Sequence, residues 1–197
     1  MNSFKDKKIL ITGHTGFKGF WLSLILKKLG AKVFGLSLKP LENQKSHFKD
    51  LEGENLIETF YMDIQNLDNL NHVLKKVRPD FIFHLAAQAI VSESYSDPTK
   101  TFNTNTLGSI NLLESVRLNL DKVTIIMVTS DKVYENVEWI YGYRENDILG
   151  GKDPYSASKA SAEIAIKSYF QSFFKNTNVK LVTARAGNVI GGGDWSK

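Results

Sequence analysis

The sequence predicts an α/β domain built on a doubly wound parallel sheet. Six short apolar runs alternate with longer stretches of helical periodicity from one end to the other, and the first run leads straight into a glycine-rich turn. Alternation of this kind marks βαβ units whose strands are buried on both faces. The strands are expected at Lys8–Thr12, Lys32–Leu36, Glu58–Met62, Phe81–Leu85, Thr124–Thr129 and Lys180–Ala184. Helices are expected at Gly19–Leu29, Leu67–Val77, Thr101–Asn119 and Tyr155–Phe174. Their apolar residues recur at i, i+3 and i+4, as Leu22, Ile25, Leu26 and Leu29 do. Such a sheet holds a dinucleotide beyond the carboxyl ends of its strands, where the strand order reverses.

Length and composition agree with a single domain spanning 1–197: 197 residues with 42% hydrophobic content support one core and not two. The net charge of +4 comes from scattered lysines, and the four arginines lie far apart, which argues against a nucleic-acid partner. Without cysteines there is no disulfide, zinc ribbon or thiolate chemistry, and no metal site is expected. No stretch approaches the ~20 apolar residues that cross a bilayer, and no signal-peptide core opens the chain. A cytoplasmic address with no membrane partner is the expectation.

The first strand runs into Gly13-His14-Thr15-Gly16-Phe17-Lys18-Gly19. Glycines here supply a tight turn and let backbone approach a pyrophosphate, while the helix start offers unpaired N–H groups. Gly13, Thr15, Gly16, Phe17 and Gly19 are therefore candidate cofactor contacts. A carboxylate that prefers NAD belongs roughly 20 residues on, yet Ser37 stands there with Lys39 beyond it. Ser37 can hold a ribose hydroxyl and Lys39 a 2′-phosphate, so NAD and NADP both remain open. Asp63 and Ile64 are placed to meet adenine, unless Asp63 only starts a turn. In His84-Leu-Ala-Ala-Gln88, His84 reads as a satisfied core residue, whereas Leu85, Ala86 and Ala87 leave room for a flat ring. Thr104 joins the cofactor candidates. Its neighbour Asn105 either bonds backbone near Lys159 or is a surface polar group.

Tyr155 and Lys159 lie one helical turn apart, on one face. A phenol must fall about 3 units from its usual ~10 to act as a base at neutral pH, and a lysine charge ~4 Å away is worth about that. The fifth strand delivers Thr129, Asp131 and Lys132 to the carboxyl edge, although Ser-Asp after a strand also caps helices. The one long irregular stretch, Asp131–Pro154, carries Tyr134, Trp139, Tyr141 and Tyr143 and is either functional or an aromatic-packed excursion.

Together GxxGxxG, HLAAQ, Thr-Ser-Asp and YxxxK resemble the extended short-chain dehydrogenases, the NAD-dependent epimerase/dehydratase family that remodels sugar nucleotides. The resemblance is carried by Gly13–Gly19, Val128–Asn136, Trp139–Asp147, Gly150–Ala160 and Ala184–Trp195. Lys132 is similar to the members acting on CDP-glucose, whereas those acting on dTDP-glucose or GDP-mannose carry glutamate there. The resemblance implies a Rossmann-type fold, a retained NAD and a nucleotide-sugar substrate, CDP-glucose. It implies oxidation at sugar carbon 4, loss of water across carbons 5 and 6, and return of hydride to carbon 6. In these steps Tyr155 and Lys159 would serve the oxidation and Thr129 would hold the 4-hydroxyl. Asp131 as acid and Lys132 as base would run the elimination, each brought to its proton state by burial. Gln88 and Asn188 would contact the substrate. Family members continue past Trp195 into a nucleotide-gripping lobe, so a largely missing substrate lobe is expected, with Ile190 and Trp195 exposed. A homodimer or higher homo-oligomer in the full-length form, and a product for surface polysaccharide such as O-antigen, complete what the resemblance implies.

Overall fold

Along residues 3–43 and 45–195, which the computed structural model describes, the first half runs β1 (Lys8–Thr12), α1 (Phe17–Lys28), β2 (Lys32–Ser37), α2 (His47–Asp50), α3 (Gly53–Leu56), β3 (Glu58–Tyr61) and α4 (Leu67–Val77). The second half runs β4 (Phe81–His84), α5 (Val91–Ser96), α6 (Pro98–Phe102), a π-helical turn at Asn103–Leu107 and α7 (Gly108–Asn119). It continues with β5 (Lys122–Val128), a 3₁₀ turn at Asp131–Val133, α8 (Pro154–Tyr169), a second π turn at Phe170–Phe174 and β6 (Asn178–Ala184). The expected domain limits, Met1 and Lys197, lie outside the described residues. All six strands are parallel, in the order β3-β2-β1-β4-β5-β6. The order reverses between β1 and β4, and there the glycine turn emerges.

Every expected strand is present, within a residue or two at its ends. The helices depart more, for local reasons. The segment expected as one helix over Thr101–Asn119 starts at Pro98, because Asp97 caps the Lys100 N–H at 2.9 Å and a proline suits the first helical position. It is then interrupted by the π turn. The start of α8 repeats the device: Asp153 accepts from the Ser156 N–H at 3.0 Å and Pro154 follows. The short α2 and α3 have too few apolar repeats to show a period.

Both faces of the sheet are covered. Leu10, Ile82, Ile125 and Met127 pack against Leu70, Leu74, Leu112, Leu113 and Val116 of α4 and α7. Ile9, Ile11 and Val33 pack against Phe20, Leu26 and Phe48 on the other side. Each fully buried side chain of this size contributes roughly 1.5–3 kcal/mol before chain entropy is counted. Gly35 in β2 makes room for a polar ring, since a Cβ there would sit 2.3 Å from His14. His14 Nε2 pairs with Thr59 Oγ1 at 2.9 Å.

A directed chain of hydrogen bonds crosses the middle of the sheet. The Ala86 N–H donates to Thr12 Oγ1 (3.2 Å), leaving the Thr12 hydroxyl to donate to His84 Nδ1 (2.8 Å). His84 Nε2–H then donates to Ser109 Oγ (3.1 Å), whose proton goes to the Asn105 carbonyl (2.6 Å). Only the Nε2–H tautomer satisfies every member. Asn105 lies in the π turn and is buried, not on a helix surface. Its amide donates to the Gln88 carbonyl (3.0 Å) and Ser158 Oγ (2.9 Å), and its oxygen accepts from the Gln88 N–H (2.8 Å). Truncation to Asn105→Ala strands both Gln88 backbone groups and is expected to cost about 3 kcal/mol, read as a lowered urea midpoint at unchanged slope.

Burial lowers the pKa of His14 to about 4 and of His84 to about 3, the nearby Lys159 charge adding to the second shift. For both, the unfolded chain takes up a proton at higher pH than the folded one. Stability from these two groups is therefore complete above about pH 6.5, the unfolded value, and is lost as pH falls through the window down to 3–4. A urea midpoint that declines from pH 7 to pH 5 is expected, with a shallower decline in His14→Gln. An equal midpoint at both pH values would contradict the buried neutral rings.

Candidate active site

The turn after β1 has two glycines fixed by packing and one left open. Gly13 has a φ of +75°, and a Cβ on it would stand 2.7 Å from the Ala86 nitrogen. A Cβ on Gly19 would meet the Gly13 carbonyl at 2.1 Å. These two let α1 seat against β1 and β4. Gly16 is exposed, and its Cβ would meet only the Gly13 oxygen, at 3.4 Å. It is the residue before α1, whose start has no side-chain cap and no acid in its first turn. The first N–H groups of α1 therefore face an open, anion-accepting surface.

Around this surface stand the other residues expected to hold a dinucleotide. Ser37 ends β2 with its hydroxyl 2.6 Å from that of Thr15, and Phe17 opens α1. Lys39 is exposed on a groove of about 500 Å³ that Glu42, Glu52 and Glu54 also line. Asp63 takes the local part foreseen for it, accepting the Gln65 N–H at 2.9 Å, while Gln65 Nε2 reaches Thr104 Oγ1 at 3.4 Å. Ile64 has its side chain buried against Gly108, whose Cβ would be 2.6 Å from Ile64 Cδ1, and its carbonyl accepts from the Asn111 amide at 3.2 Å. Leu85, Ala86 and Ala87 leave β4 half-buried beside the turn. Gln88 follows with its amide engaged inside the fold, donating to the Ile90 carbonyl and Thr101 Oγ1, each at 3.0 Å. Asn188 is exposed beyond β6. Its segment returns across α1, where Trp21 Nε1 donates to the Gly192 carbonyl at 2.8 Å. Ile190 and Trp195 are exposed as expected, at 95% and 52%.

The pair expected to serve the oxidation, Tyr155 and Lys159, lies in the first turns of α8. Lys159 is buried, and burial first, then the charge of Lys18, lowers its pKa to about 8, with Glu163 pulling the other way. Tyr155 departs from expectation, because its phenol is pushed up and not down. Burial is the main cause, and the carboxylates of Asp131 and Asp153 add to it, while a hydrogen bond with Ser130 opposes it. Lys159, itself drawn towards neutrality, does not reverse the balance.

Ser130 is a residue that the sequence reading passed over, and its neighbour Thr129, the expected one, has its hydroxyl engaged inside the fold. Along β5, Val123, Ile125 and Met127 share one buried face. Thr129 continues that face and donates its hydroxyl to Glu163 at 2.6 Å, inside the protein. Ser130 falls on the opposite side and meets Tyr155. The two-residue period of a strand carries this distinction and was the available signal. Asp131 and Lys132 form the 3₁₀ turn, held by Ser130, whose hydroxyl donates to Asp131 Oδ1 (3.0 Å) and accepts from the Lys132 N–H (3.2 Å). Both side chains are exposed, so the burial expected to drive them is not supplied by these residues.

This arrangement of an anion-accepting turn, a Ser-Tyr-Lys group and an adjacent Asp-Lys turn can be set beside known proteins. The sequence pattern of the family described as GDP-mannose 4,6 dehydratase matches residues 10–189. A CDP-glucose 4,6-dehydratase of Salmonella typhimurium is 43% identical over 201 residues, covering 100% of this chain and 56% of that protein. A Methanothermobacter thermautotrophicus epimerase structure, Mth375, superposes with a TM-score of 0.82 at 28% identity, over 98% of this chain and 55% of the other. The Thermus thermophilus UDP-glucose 4-epimerase in complex with NAD gives 0.75 at 29% identity, over 90% and 54%. This chain thus spans about half the length of the curated relatives it matches. The family match takes in the glycine turn, the Ser130 to Lys132 edge and the Tyr155–Lys159 pair alike, and the chain belongs to the GDP-mannose 4,6 dehydratase family.

Proposed function

We propose that this chain is the dinucleotide-binding portion of a CDP-glucose 4,6-dehydratase, a lyase that makes CDP-4-keto-6-deoxyglucose. The observation that carries the reading is the union, at one sheet edge, of Ser130 beside the Tyr155 end of α8 with an Asp131–Lys132 turn that Ser130 itself holds by two hydrogen bonds. An epimerase needs the first element alone. The resemblance in sequence to the Salmonella typhimurium dehydratase supports the same substrate.

The residues fit NAD. The open Gly16 surface and the bare start of α1 suit a diphosphate, and the Thr15–Ser37 hydroxyl pair suits a ribose. The glutamates beside Lys39 disfavour a 2′-phosphate. NAD, when bound, supplies the acceptor and later the donor of hydride. Ser130 takes the part first given to Thr129 and orients the sugar 4-hydroxyl towards Tyr155, which removes its proton. Lys159 favours the phenolate by its charge. A ketone at carbon 4 then acidifies the hydrogen on carbon 5. The Asp131–Lys132 turn lies directly beyond Ser130, and to it fall that proton, at Lys132, and the departing 6-hydroxyl, at Asp131. Contacts of Asp63, Thr104 and Ala86–Ala87 with the adenosine half, and of Gln88 and Asn188 with the substrate, belong to the same reading. So do a cytoplasmic address, a place in surface-polysaccharide synthesis and self-association, for which Leu107, Leu118 and Ile164 stand exposed around α7 and α8.

In the protein at the length its gene encodes, Tyr155→Phe is expected to bind NAD with the parental Kd and to retain less than about a tenth of the CDP-glucose turnover. Activity above that level removes Tyr155 from the base role. For Lys132→Ala, hydride should leave carbon 4 but water should not leave carbons 5 and 6. Absorbance of reduced nicotinamide should then accumulate with an undehydrated 4-keto sugar in the mass spectrum. Dehydration at the parental rate would make Lys132 structural.

A further inference from the structure

Next to the reactive group lies a second buried polar centre that the reaction as read above does not use. Glu163 stands on α8 one turn beyond Lys159 and is 5% exposed. Arg185, the residue after β6, forks onto it, with Nε 2.9 and 3.0 Å from the two carboxylate oxygens and Nη2 2.5 Å from Oε2. Thr129 donates to Oε1 at 2.6 Å. The far side of the guanidinium faces the long loop: Nη1 donates to the Tyr134 hydroxyl (2.8 Å) and the Glu145 carbonyl (2.9 Å), and the group lies 4.7 Å from the Tyr134 ring centre. Tyr134 in turn bridges to Leu149 and stacks on Tyr143. One carboxylate therefore gathers the ends of β5 and β6, the body of α8 and both limbs of the Asp131–Pro154 loop.

We propose that Glu163 is a positioning residue for the reaction: through Thr129 and Arg185 it sets the place of Ser130, Asp131 and Lys132 relative to Tyr155. The inference rests on the functional reading above for what those residues do. The connection is short. Thr129 precedes Ser130 directly, and the Asp131 N–H bonds to the carbonyl of Ala186, next to Arg185, at 3.1 Å. Ser130 is thus held from both sides by segments that Glu163 anchors. A bidentate Arg–carboxylate fork is directional as well as strong, and the buried site screens it little. The charge of Glu163 also favours the protonated form of Lys159. Small displacements of such groups weigh on rate far more than on cofactor affinity.

The test uses the protein at the length its gene encodes. Thr129→Val keeps the shape and removes the donor; kcat with CDP-glucose is expected to fall on the order of tenfold while the Kd for NAD stays put, and Thr129→Ser to restore the rate. Glu163→Gln is expected to speed protease cleavage within residues 131–154 several-fold, with no substrate present. A parental rate in Thr129→Val, or a loss matched by loss of folded protein and not restored by serine, overturns the proposal. If the parent protein itself leaves CDP-glucose unchanged, the functional reading fails, and the cleavage rate alone then decides the clamp: unchanged cleavage in Glu163→Gln rejects it.

Discussion

The carboxamide of Asn105 is the contact on which the rest of the structure depends. It is sealed from water at the meeting point of β4, the π turn and α8, and uses both its amide and its oxygen. Its bonds to Gln88 fix how the chain leaves β4, and its bond to Ser158 fixes how α8 approaches. Ser158 returns its own proton to the Tyr155 carbonyl at 2.7 Å. The backbone of Tyr155 is thereby tied to the sheet edge through two side chains, those of Ser158 and Asn105. A buried, fully paired amide of this kind allows few alternative arrangements, since each would leave a polar group unpaired. The π turn has a purpose in this light, because it presents Asn105 inward from a helix that otherwise buries leucines.

Asn105 and Glu163 divide the work by direction. One secures the amino-terminal turn of α8 against the cofactor side, where the glycine turn and Ala86 lie. The other secures the following turns against β5, β6 and the long loop. Lys159 falls between the two anchors, and Tyr155 stands just ahead of the first, tied to it through its carbonyl. The geometry of the reactive group is thus a property of α8 as a rigid body held at two points, and the exposed Asp131–Lys132 turn inherits its place from the second.

The sheet was legible because its signal is local and repeated. Each strand reads as an apolar run, and the turn after β1 needs glycine at Gly13 and Gly19 for steric reasons that a sequence displays directly. The candidate site was legible as a set of segments, and less so as a set of side-chain directions. Thr129 and Ser130 are adjacent and chemically alike, and only the strand's alternation tells which meets Tyr155. Ile64 looked available because it follows a strand end, yet Gly108 across the space admits it to the core. Glu163 and Arg185 gave no warning, since their pairing spans 22 residues and depends on β6 lying beside β5. Charge states were least legible, because they depend on burial and on groups remote in sequence.

Those charge states share one logic. Lys159 is buried with the neutral His84 among the groups that feel its charge. A proton on His84 would set a second cation against Lys159 and drive it further towards the amine. The hydrogen-bond chain prevents this by more than burial. His84 Nε2 already carries the proton given to Ser109, and the Nδ1 lone pair is occupied by the Thr12 hydroxyl. To accept another proton, Nδ1 must turn Thr12 from donor to acceptor, and the Thr12 oxygen, which already receives the Ala86 N–H, would then have to find another partner for its own proton. Protonation at that ring would therefore cost the chain one paired hydroxyl as well as setting two cations together.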